Sequence, residues 1–430
     1  MQEFLEFLKT SKTGFHACSN SIKELEKNGY QRLNEQEDWS LTLGGKYYIT
    51  RNYSSVFAFT IPNKLDNYGF NICAAHLDSP TFKLKPNFTL DTGKYIKLNT
   101  EVYGGPIYMS WLDRPLDIAG RVLVKENDKI VVKLFSFDKA ICMIPNCSIH
   151  YNHDLNKGYA FNPQNELLPI LTANKDLDLL LAMANKLNVK KEDILSYDLY
   201  LSLLDRGTLV GLDNEFIMAP QIDNLECSFG ILKSLLKAND TKKVNVMALF
   251  DNEEIGSRTR QGASSDVLAH LLERITLSLK LERKDYLKAL TNSFFVSADN
   301  AQGYHPSYPQ KYDPTNACYM NNGIVVKNAA RGSYTTDAYS LAIFEEICNK
   351  ANARYQLNTN RSDVPGGSTL GCLSLEQVSI PSVDIGLAQI AMHSAYETAG
   401  SKDLEDLVKA LTKFYESNLV FINDFEVEVK

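Results

Sequence analysis

The run Val244-Asn-Val-Met-Ala-Leu-Phe250 is followed directly by Asp251-Asn-Glu253-Glu254. Seven almost entirely apolar residues, closed by a polar turn, predict a strand that is buried on both faces of a parallel sheet. Amphipathic helical patterns flank this strand over residues 225–237 and 265–281. This alternation predicts a doubly wound α/β domain, with the two glutamates at the carboxyl end of a buried strand.

Further strands and helices of the same kind lie on both sides of this stretch. Strand-like runs are found at residues 46–50, 55–60, 70–75, 293–297, 323–327 and 382–386, and helical periodicity at residues 336–351 and 403–423. Between residues 87 and 219 the pattern changes to short alternating strands joined by Gly, Asn and Asp, for example at 94–98, 120–124 and 130–135. We therefore predict a discontinuous catalytic domain over residues 1–86 and 220–430, with a largely parallel sheet, and an inserted β-rich domain over residues 87–219.

Composition limits the class of protein. The 430 residues are 44% hydrophobic and carry a formal net charge of -7, with no basic stripe of the kind that nucleic-acid binding requires. The N-terminal stretch is acidic and no run approaches the length of a membrane span, so we expect a soluble, cytoplasmic protein without nucleic-acid or membrane partners. The eight cysteines form no Cys-x-x-Cys pair, which favours free thiols in a reducing compartment.

Five separate segments carry side chains that bind metal ions. These candidates are His76 with Asp78, Asp223, Glu253 with Glu254, Asp299, and His393. All of these residues except Asp223 lie at or just after strand-like runs. Parallel strands would bring such residues to one edge of the sheet. Histidines and carboxylates together suit two divalent ions and a bridging water, so the sequence predicts a two-metal hydrolase.

Each candidate also has a simpler interpretation. Asp223 precedes a helix and could be its N-cap, and the acid run after residue 250 could be a solvated turn. Agreement among five independent segments favours the metal site over these alternatives. Competing chemistries lack their signatures, because the chain has no Gly-x-Ser-x-Gly, no Gly-x-x-x-x-Gly-Lys and no His-Glu-x-x-His.

The spacing within two segments indicates which residues would bind metal and which would act beside a ligand. In His76-Leu-Asp78 the aspartate is placed to hydrogen-bond the second nitrogen of the imidazole, which would fix its tautomer. In Glu253-Glu254 one carboxylate can bind metal while the other stays free beside the bridging water as a general base.

The same segments resemble the M18 family of metalloaminopeptidases, the aspartyl aminopeptidase group. The resemblance is carried by Ala75-His76-Leu-Asp78-Ser-Pro, Gln221-Ile-Asp223-Asn, Asp251-Asn-Glu253-Glu254-Ile-Gly-Ser, Ser297-Ala-Asp299 with His305-Pro, and Ala391-Met-His393-Ser. It extends over nearly the full length. Within the insertion, Ile149-His150-Tyr-Asn-His153 resembles the family's stretch that carries a histidine into a neighbouring subunit's active site.

The resemblance implies a role for each residue. The metal ligands would be His76, Asp223, Glu254, Asp299 and His393, with Asp223 bridging two ions, His76 on one and His393 on the other. Glu253 would be the general base for attack by a metal-bridging hydroxide, supported by Asp78. His305, and His150 from a neighbouring subunit, would bind the substrate or stabilise the oxyanion.

The family resemblance also implies the cofactor and the assembly. The ions would be zinc, with manganese or cobalt as substitutes, and dimers would assemble into a tetrahedral dodecamer. The chain departs from the family pattern at Gln302 and His153, where relatives tend to have histidine and arginine.

Specificity is the least determined property. Lys327 matches a family lysine that faces the first side-chain pocket, where an ammonium would favour Asp or Glu at the substrate N-terminus. The alternative is an ordinary exposed lysine at a strand end. Neutral or broad specificity, a metal-dependent deacylase or dipeptidase, and a non-catalytic particle also remain open at this stage.

Overall fold

The computed structural model describes all 430 residues. Ten α-helices are present: α1 Gln2–Thr10, α2 Gly14–Lys27, α3 Pro163–Glu166, α4 Leu179–Leu187, α5 Ile222–Lys237, α6 Val267–Ser278, α7 Arg283–Thr291, α8 Ala338–Ala351, α9 Leu370–Gln377 and α10 Asp403–Glu416. None of them combines the length and the hydrophobicity that a bilayer-spanning helix requires.

The strands form four sheets. In chain order they are β1 Gln31–Arg32, β2 Lys46–Arg51, β3 Ser55–Thr60, β4 Phe70–His76, β5 Thr81–Asp91, β6 Ile96–Tyr103, β7 Leu116–Glu126, β8 Lys129–Ser136, β9 Ile170–Thr172, β10 Ile194–Leu203, β11 Thr208–Val210, β12 Phe216–Ala219, β13 Val244–Phe250, β14 Phe294–Ala298, β15 Ala301–Gln302, β16 Ile324–Asn328, β17 Tyr355–Thr359, β18 Ser382–Gly386, β19 Ala388–Ile390, β20 Glu397–Gly400, β21 Leu419–Asn423 and β22 Glu426–Val429.

The largest sheet has nine strands in the order β1-β2-β3-β13-β4-β14-β18-β16-β17. Its centre, β13-β4-β14-β18, is parallel, whereas β3 and β16 run antiparallel to their central neighbours. Strands β4, β13 and β14 are buried along their entire length, as their apolar sequences predict. The expected largely parallel α/β sheet is therefore confirmed.

Helices cover both faces of this sheet. One face packs against α1, α2, α5, α8 and α10, and the other against α6, α7 and α9. In α10, Leu404, Leu407, Leu411 and Phe414 recur at helical spacing and are buried. Burial of each such side chain contributes roughly 1.5–3 kcal/mol, so the two apolar layers fix the sheet and the loops at its edge.

A second sheet of six strands has the order β8-β7-β10-β5-β6-β9 and its own apolar core. Its strands begin at Thr81 and end at Leu203, between β4 and β13 of the largest sheet in the chain, so we refer to it as the inserted sheet. Strands β11 and β12 instead join β20, β19 and β15 in a five-stranded sheet, and β21 pairs with β22.

The predicted helix over residues 403–423 is wrong at its C-terminal end, over the last third. Helix α10 ends at Glu416, and Leu419–Asn423 is a strand that pairs antiparallel with β22. The apolar residues of this segment fit a helical pattern, but Val420 and Ile422 are β-branched and favour the hairpin. The helix predicted over 265–281 is also shorter, and α7 follows it.

Candidate metal centre

Three neighbouring strands of the large sheet deliver four of the candidate residues to one edge. His76 is the last residue of β4, the Glu253–Glu254 turn follows β13, and Asp299 follows β14. Since β13, β4 and β14 are adjacent and parallel, their carboxyl ends meet there.

Asp223 and His393 reach the same place from other elements. Asp223 lies in the first turn of α5, where its backbone departs from helical geometry and its peptide bond to Asn224 is cis. His393 follows β19 of the five-stranded sheet and has a positive φ of 66°. The expectation that the large sheet delivers His393 is therefore wrong: a strand of only three residues, in another sheet, positions it.

The candidate ligand atoms form two groups that share Asp223. In the first group, His76 Nε2 lies 3.5 Å from Asp223 Oδ1 and 3.5 Å from Asp299 Oδ1. In the second group, His393 Nε2 lies 3.8 Å from Asp223 Oδ2 and 3.3 Å from Glu254 Oε2. The two oxygens of Asp223 thus face different histidines, as a bridging carboxylate requires.

These separations suit metal ions. Atoms bound to one tetrahedral zinc at about 2.1 Å lie about 3.4 Å from each other. His76, Asp223 and Glu254 each place one ligand atom within 4.8 Å of the others. Asp223 Oδ1 and Glu254 Oε1 are buried without any hydrogen-bond partner, and buried carboxylate oxygens need a donor or a cation. The donor set therefore fits divalent metal.

Crowded carboxylates give the centre a strong negative potential. Burial, followed by the Asp299 charge, raises the pKa of Asp223, and burial together with Asp223 raises that of Glu254. Burial also raises the pKa of Glu253, to about 8, although the nearby His76 opposes this shift. Burial favours the neutral form of His76, but the nearby carboxylates of Asp223 and Asp299 outweigh it and raise the pKa of His76. Cations bound here would stabilise all of these carboxylates in their ionised form.

Asp78 supports both the histidine and the acid turn. His76 Nδ1 lies 3.1 Å from the backbone carbonyl oxygen of Asp78 and 3.4 Å from its carboxylate. The closer contact leaves Nε2 free to bind metal. The Asp78 carboxylate accepts hydrogen bonds from the backbone N–H groups of Glu253, at 3.0 Å, and Glu254, at 3.2 Å. The sequence predicted that the aspartate side chain would orient the imidazole, whereas the backbone carbonyl makes the closer contact. Nothing in the sequence indicated the hydrogen bonds to the turn.

Glu397 is a buried carboxylate that the sequence reasoning missed. It accepts the backbone N–H of Asp223 at 2.9 Å and that of His393 at 2.7 Å. It therefore ties together two residues that are 170 positions apart in sequence. Its only local signal is an acid four residues after His393, which alone does not reveal this contact.

The inserted sheet also reaches the centre. Tyr103, at the end of β6, donates to Asp78, and the carbonyl of Gly105 lies 3.1 Å from His393 Nδ1. Neither residue carries a sequence pattern that would point to a metal centre, because both contacts depend on how the insertion packs against the large sheet.

An open cleft of about 490 Å³ gives access to the centre. His305, Gln302 and Lys327 line it together with Glu253 and four of the five candidate metal ligands, Asp223, Glu254, Asp299 and His393. His305 is partly buried and packs against the ring of Tyr308. His150 and His153 do not line this cleft, and lie exposed in the loop between β8 and α3.

Lys327 is not the exposed strand-end lysine of the alternative interpretation. It is only 3% exposed, and its ammonium donates to the carbonyl of Asn300 at 3.0 Å and lies 3.6 Å from Asp299 Oδ2. Although burial opposes it, the Asp299 charge raises the pKa of Lys327, so this lysine stays cationic at the base of the cleft.

An α/β domain with this donor set at the carboxyl edge of its sheet belongs to the class of metal-dependent hydrolases. Comparison with known proteins agrees. The family model described as aminopeptidase I zinc metalloprotease (M18) matches residues 7–415. A probable M18 family aminopeptidase 2 from Clostridium novyi (strain NT) is 43% identical over 422 residues, covering 96% of this chain and 98% of that protein.

Solved structures show the same relationship. The structure of the Ape4 and Nbr1 complex contains a chain that matches with a TM-score of 0.93 and 32% identity, covering 96% of this chain and 85% of that one. A chain in the structure of the S. cerevisiae mApe1 dodecamer matches with a TM-score of 0.84 and 27% identity, covering 96% of both chains. The chain belongs to the M18 family of metalloaminopeptidases.

Proposed function

We propose that this chain is a two-metal aminopeptidase that removes N-terminal residues from peptides and prefers Asp or Glu. The observation that carries the two-metal part is the position of Asp223, whose two oxygens face His76 and His393 in separate groups of ligands. A single-ion site would not need a carboxylate divided in this way.

The distances between the side chains support two metal positions. His76 and Asp299 would hold one ion, His393 and Glu254 the other, and Asp223 both. Zinc suits this mixture of imidazole and carboxylate, and manganese or cobalt could replace it. When bound, the two ions would lower the pKa of water and polarise the scissile carbonyl.

Glu253 is the proposed general base. Its side chain is 18% exposed, whereas that of Glu254 is 5% exposed, so the two neighbouring acids differ in their access to the cleft. Glu253 Oε2 lies 3.9 Å from His76 Nε2, close to the ligands. From this position Glu253 can take a proton from the attacking water and pass it to the leaving amine. His305 lines the cleft and would bind the substrate or its oxyanion.

Lys327 supports the preference for acidic residues. Its buried ammonium lines the cleft, where it can attract the carboxylate of a substrate side chain. Lys327→Met should therefore lower kcat/KM for an aspartyl substrate more than for a leucyl substrate. An unchanged ratio would leave neutral or broad specificity as the better description.

The assembly proposal assigns dimer formation to residues 87–219 and twelve subunits to the complete particle. The inserted sheet exposes Ile130, Val132 and Leu195, which are apolar side chains suited to an interface. His150 would enter a neighbouring subunit's cleft, since it does not line its own. All eight cysteines are free thiols, which supports a location in the reducing cytoplasm.

The proposed activity is tested with amides of Asp, Glu, Leu and Lys, and with an N-acetylated aspartyl amide. Metal-supplemented protein should hydrolyse the free-amine substrates, with the acidic ones fastest, and chelation should abolish all turnover. Hydrolysis of the acetylated substrate alone would identify a deacylase instead.

A further inference from the structure

The proposed base Glu253 and the ligand Glu254 sit on a short turn that is held by one carboxylate. Both backbone N–H groups donate to Asp78, the first to Oδ1 and the second to Oδ2. The direction in which each glutamate side chain points therefore depends on how Asp78 itself is oriented.

Tyr103 fixes that orientation. Its hydroxyl donates to Asp78 Oδ2 at 2.8 Å and accepts from Asn252 Nδ2 at 2.9 Å. Asn252 immediately precedes Glu253 and has a left-handed backbone, with φ of 62°. The Tyr103 hydroxyl thus links the carboxylate that holds the turn to the residue that starts it.

The environment keeps this hydroxyl in place as a donor. Tyr103 is buried, and its ring packs edge-on against Tyr200, with centroids 5.5 Å apart. Burial and the charge of Asp78 raise the pKa of Tyr103, so the proton stays on the phenol. A hydrogen bond from a neutral donor to a buried carboxylate is stronger than one between neutral groups.

The next residues of the same segment touch the other side of the centre. The carbonyl of Gly105 accepts from His393 Nδ1 at 3.1 Å, and the N–H of Ile107 donates to the His393 carbonyl at 2.9 Å. Gly104 has φ of +69° and lies so close that an added Cβ would be 3.3 Å from the Glu254 Cβ. Residues 103–107 of the insertion are therefore fitted against both groups of ligands.

We infer that Tyr103 is a positioning residue for the aminopeptidase reaction, acting through Asp78 to hold the Glu253–Glu254 turn, so that the inserted sheet completes the active site. The inference rests on the proposed role of Glu253. The hydroxyl of Tyr103 hydrogen-bonds Asp78 and Asn252, neither of which is a proposed metal ligand, so its effect on the rate would be indirect.

The test compares Tyr103→Phe with Tyr200→Phe in full-length, metal-replete enzyme. Tyr103→Phe should lower kcat about 10- to 100-fold, the effect of losing a hydrogen bond to a charged group, while KM stays within about twofold and metal content is unchanged. Tyr200→Phe also removes a hydroxyl from this aromatic pair, but it leaves the hydrogen bond between Tyr103 and Asp78 intact. It should therefore leave kcat unchanged.

A double-mutant cycle tests the route of the effect. If Tyr103 acts through Asp78, adding Tyr103→Phe to Asp78→Asn should lower kcat little further, whereas independent effects would multiply. Counting active sites with a tight-binding hydroxamate separates slower chemistry from a smaller folded fraction.

Wild-type kcat in Tyr103→Phe, equal losses in both tyrosine variants, or multiplying effects in the cycle would overturn the inference. Glu253→Gln keeps the two proposals distinguishable. An inactive Glu253→Gln beside a fully active Tyr103→Phe removes only the positioning role, whereas a fully active Glu253→Gln removes the proposed base.

Discussion

Single substitutions of Glu253 and Glu254 distinguish the proposed general base from the proposed metal ligand. Glu253→Gln preserves the shape of the side chain and the backbone bonds to Asp78, but removes the group that can accept a proton. General-base catalysis contributes about 10²- to 10⁴-fold, so kcat should fall by that factor, which corresponds to roughly 3–5 kcal/mol in the activation barrier. Metal content and KM should change little.

Glu254→Gln is the matched control on the same turn. Glu254 Oε2 lies 3.3 Å from His393 Nε2, and its side chain is buried. Replacing the Glu254 carboxylate should release the ion that it would share with His393, and elemental analysis after dialysis would detect this loss. Activity should fall as well, and excess metal should partly restore it. Turnover of Glu253→Gln within about threefold of wild type, or full metal content in Glu254→Gln, would refute the assignment.

Two further predictions concern stability and assembly. Burial raises the pKa of Glu226 from 4.5 to about 8. The contribution of this group to the free energy of unfolding is therefore fully present below pH 4.5 and is lost as the pH rises to 8. The loss is up to about 1.4 kcal/mol per pH unit. Glu226→Gln should therefore be stabilised relative to wild type most strongly near pH 8 in urea unfolding, and parallel pH profiles would contradict this. His150→Phe should lower kcat/KM in an intact oligomer, measured by light scattering and initial rates; wild-type activity there would show that no neighbouring histidine is needed.

The central strands could be predicted because their sequences are simple. Runs such as Val244–Phe250 and Phe70–His76 are apolar along their whole length, and a strand covered on both faces has this pattern. The polar residues that follow them stand at the carboxyl edge of the sheet for a purely topological reason. His76, Glu253, Glu254 and Asp299 could therefore be grouped from sequence.

Contacts between distant elements could not be predicted in this way. His393 depends on the three-residue strand β19, which is too short to have a recognisable period. Glu397 and Tyr103 act through backbone groups and through Asp78, and one sequence does not record such pairings. The burial of Lys327 follows from the packing of Asn300 and Asp299 around it, which its own strand does not reveal.

The central claim is that Asp223 bridges two metal ions. The most direct test is the number of ions bound per subunit after dialysis, measured by elemental analysis for the wild-type protein and for Asp223→Ala. We predict two ions in the wild type and substantial loss from the variant, because both ligand groups contain Asp223. One ion in the wild type, or two ions retained by Asp223→Ala, would contradict the claim.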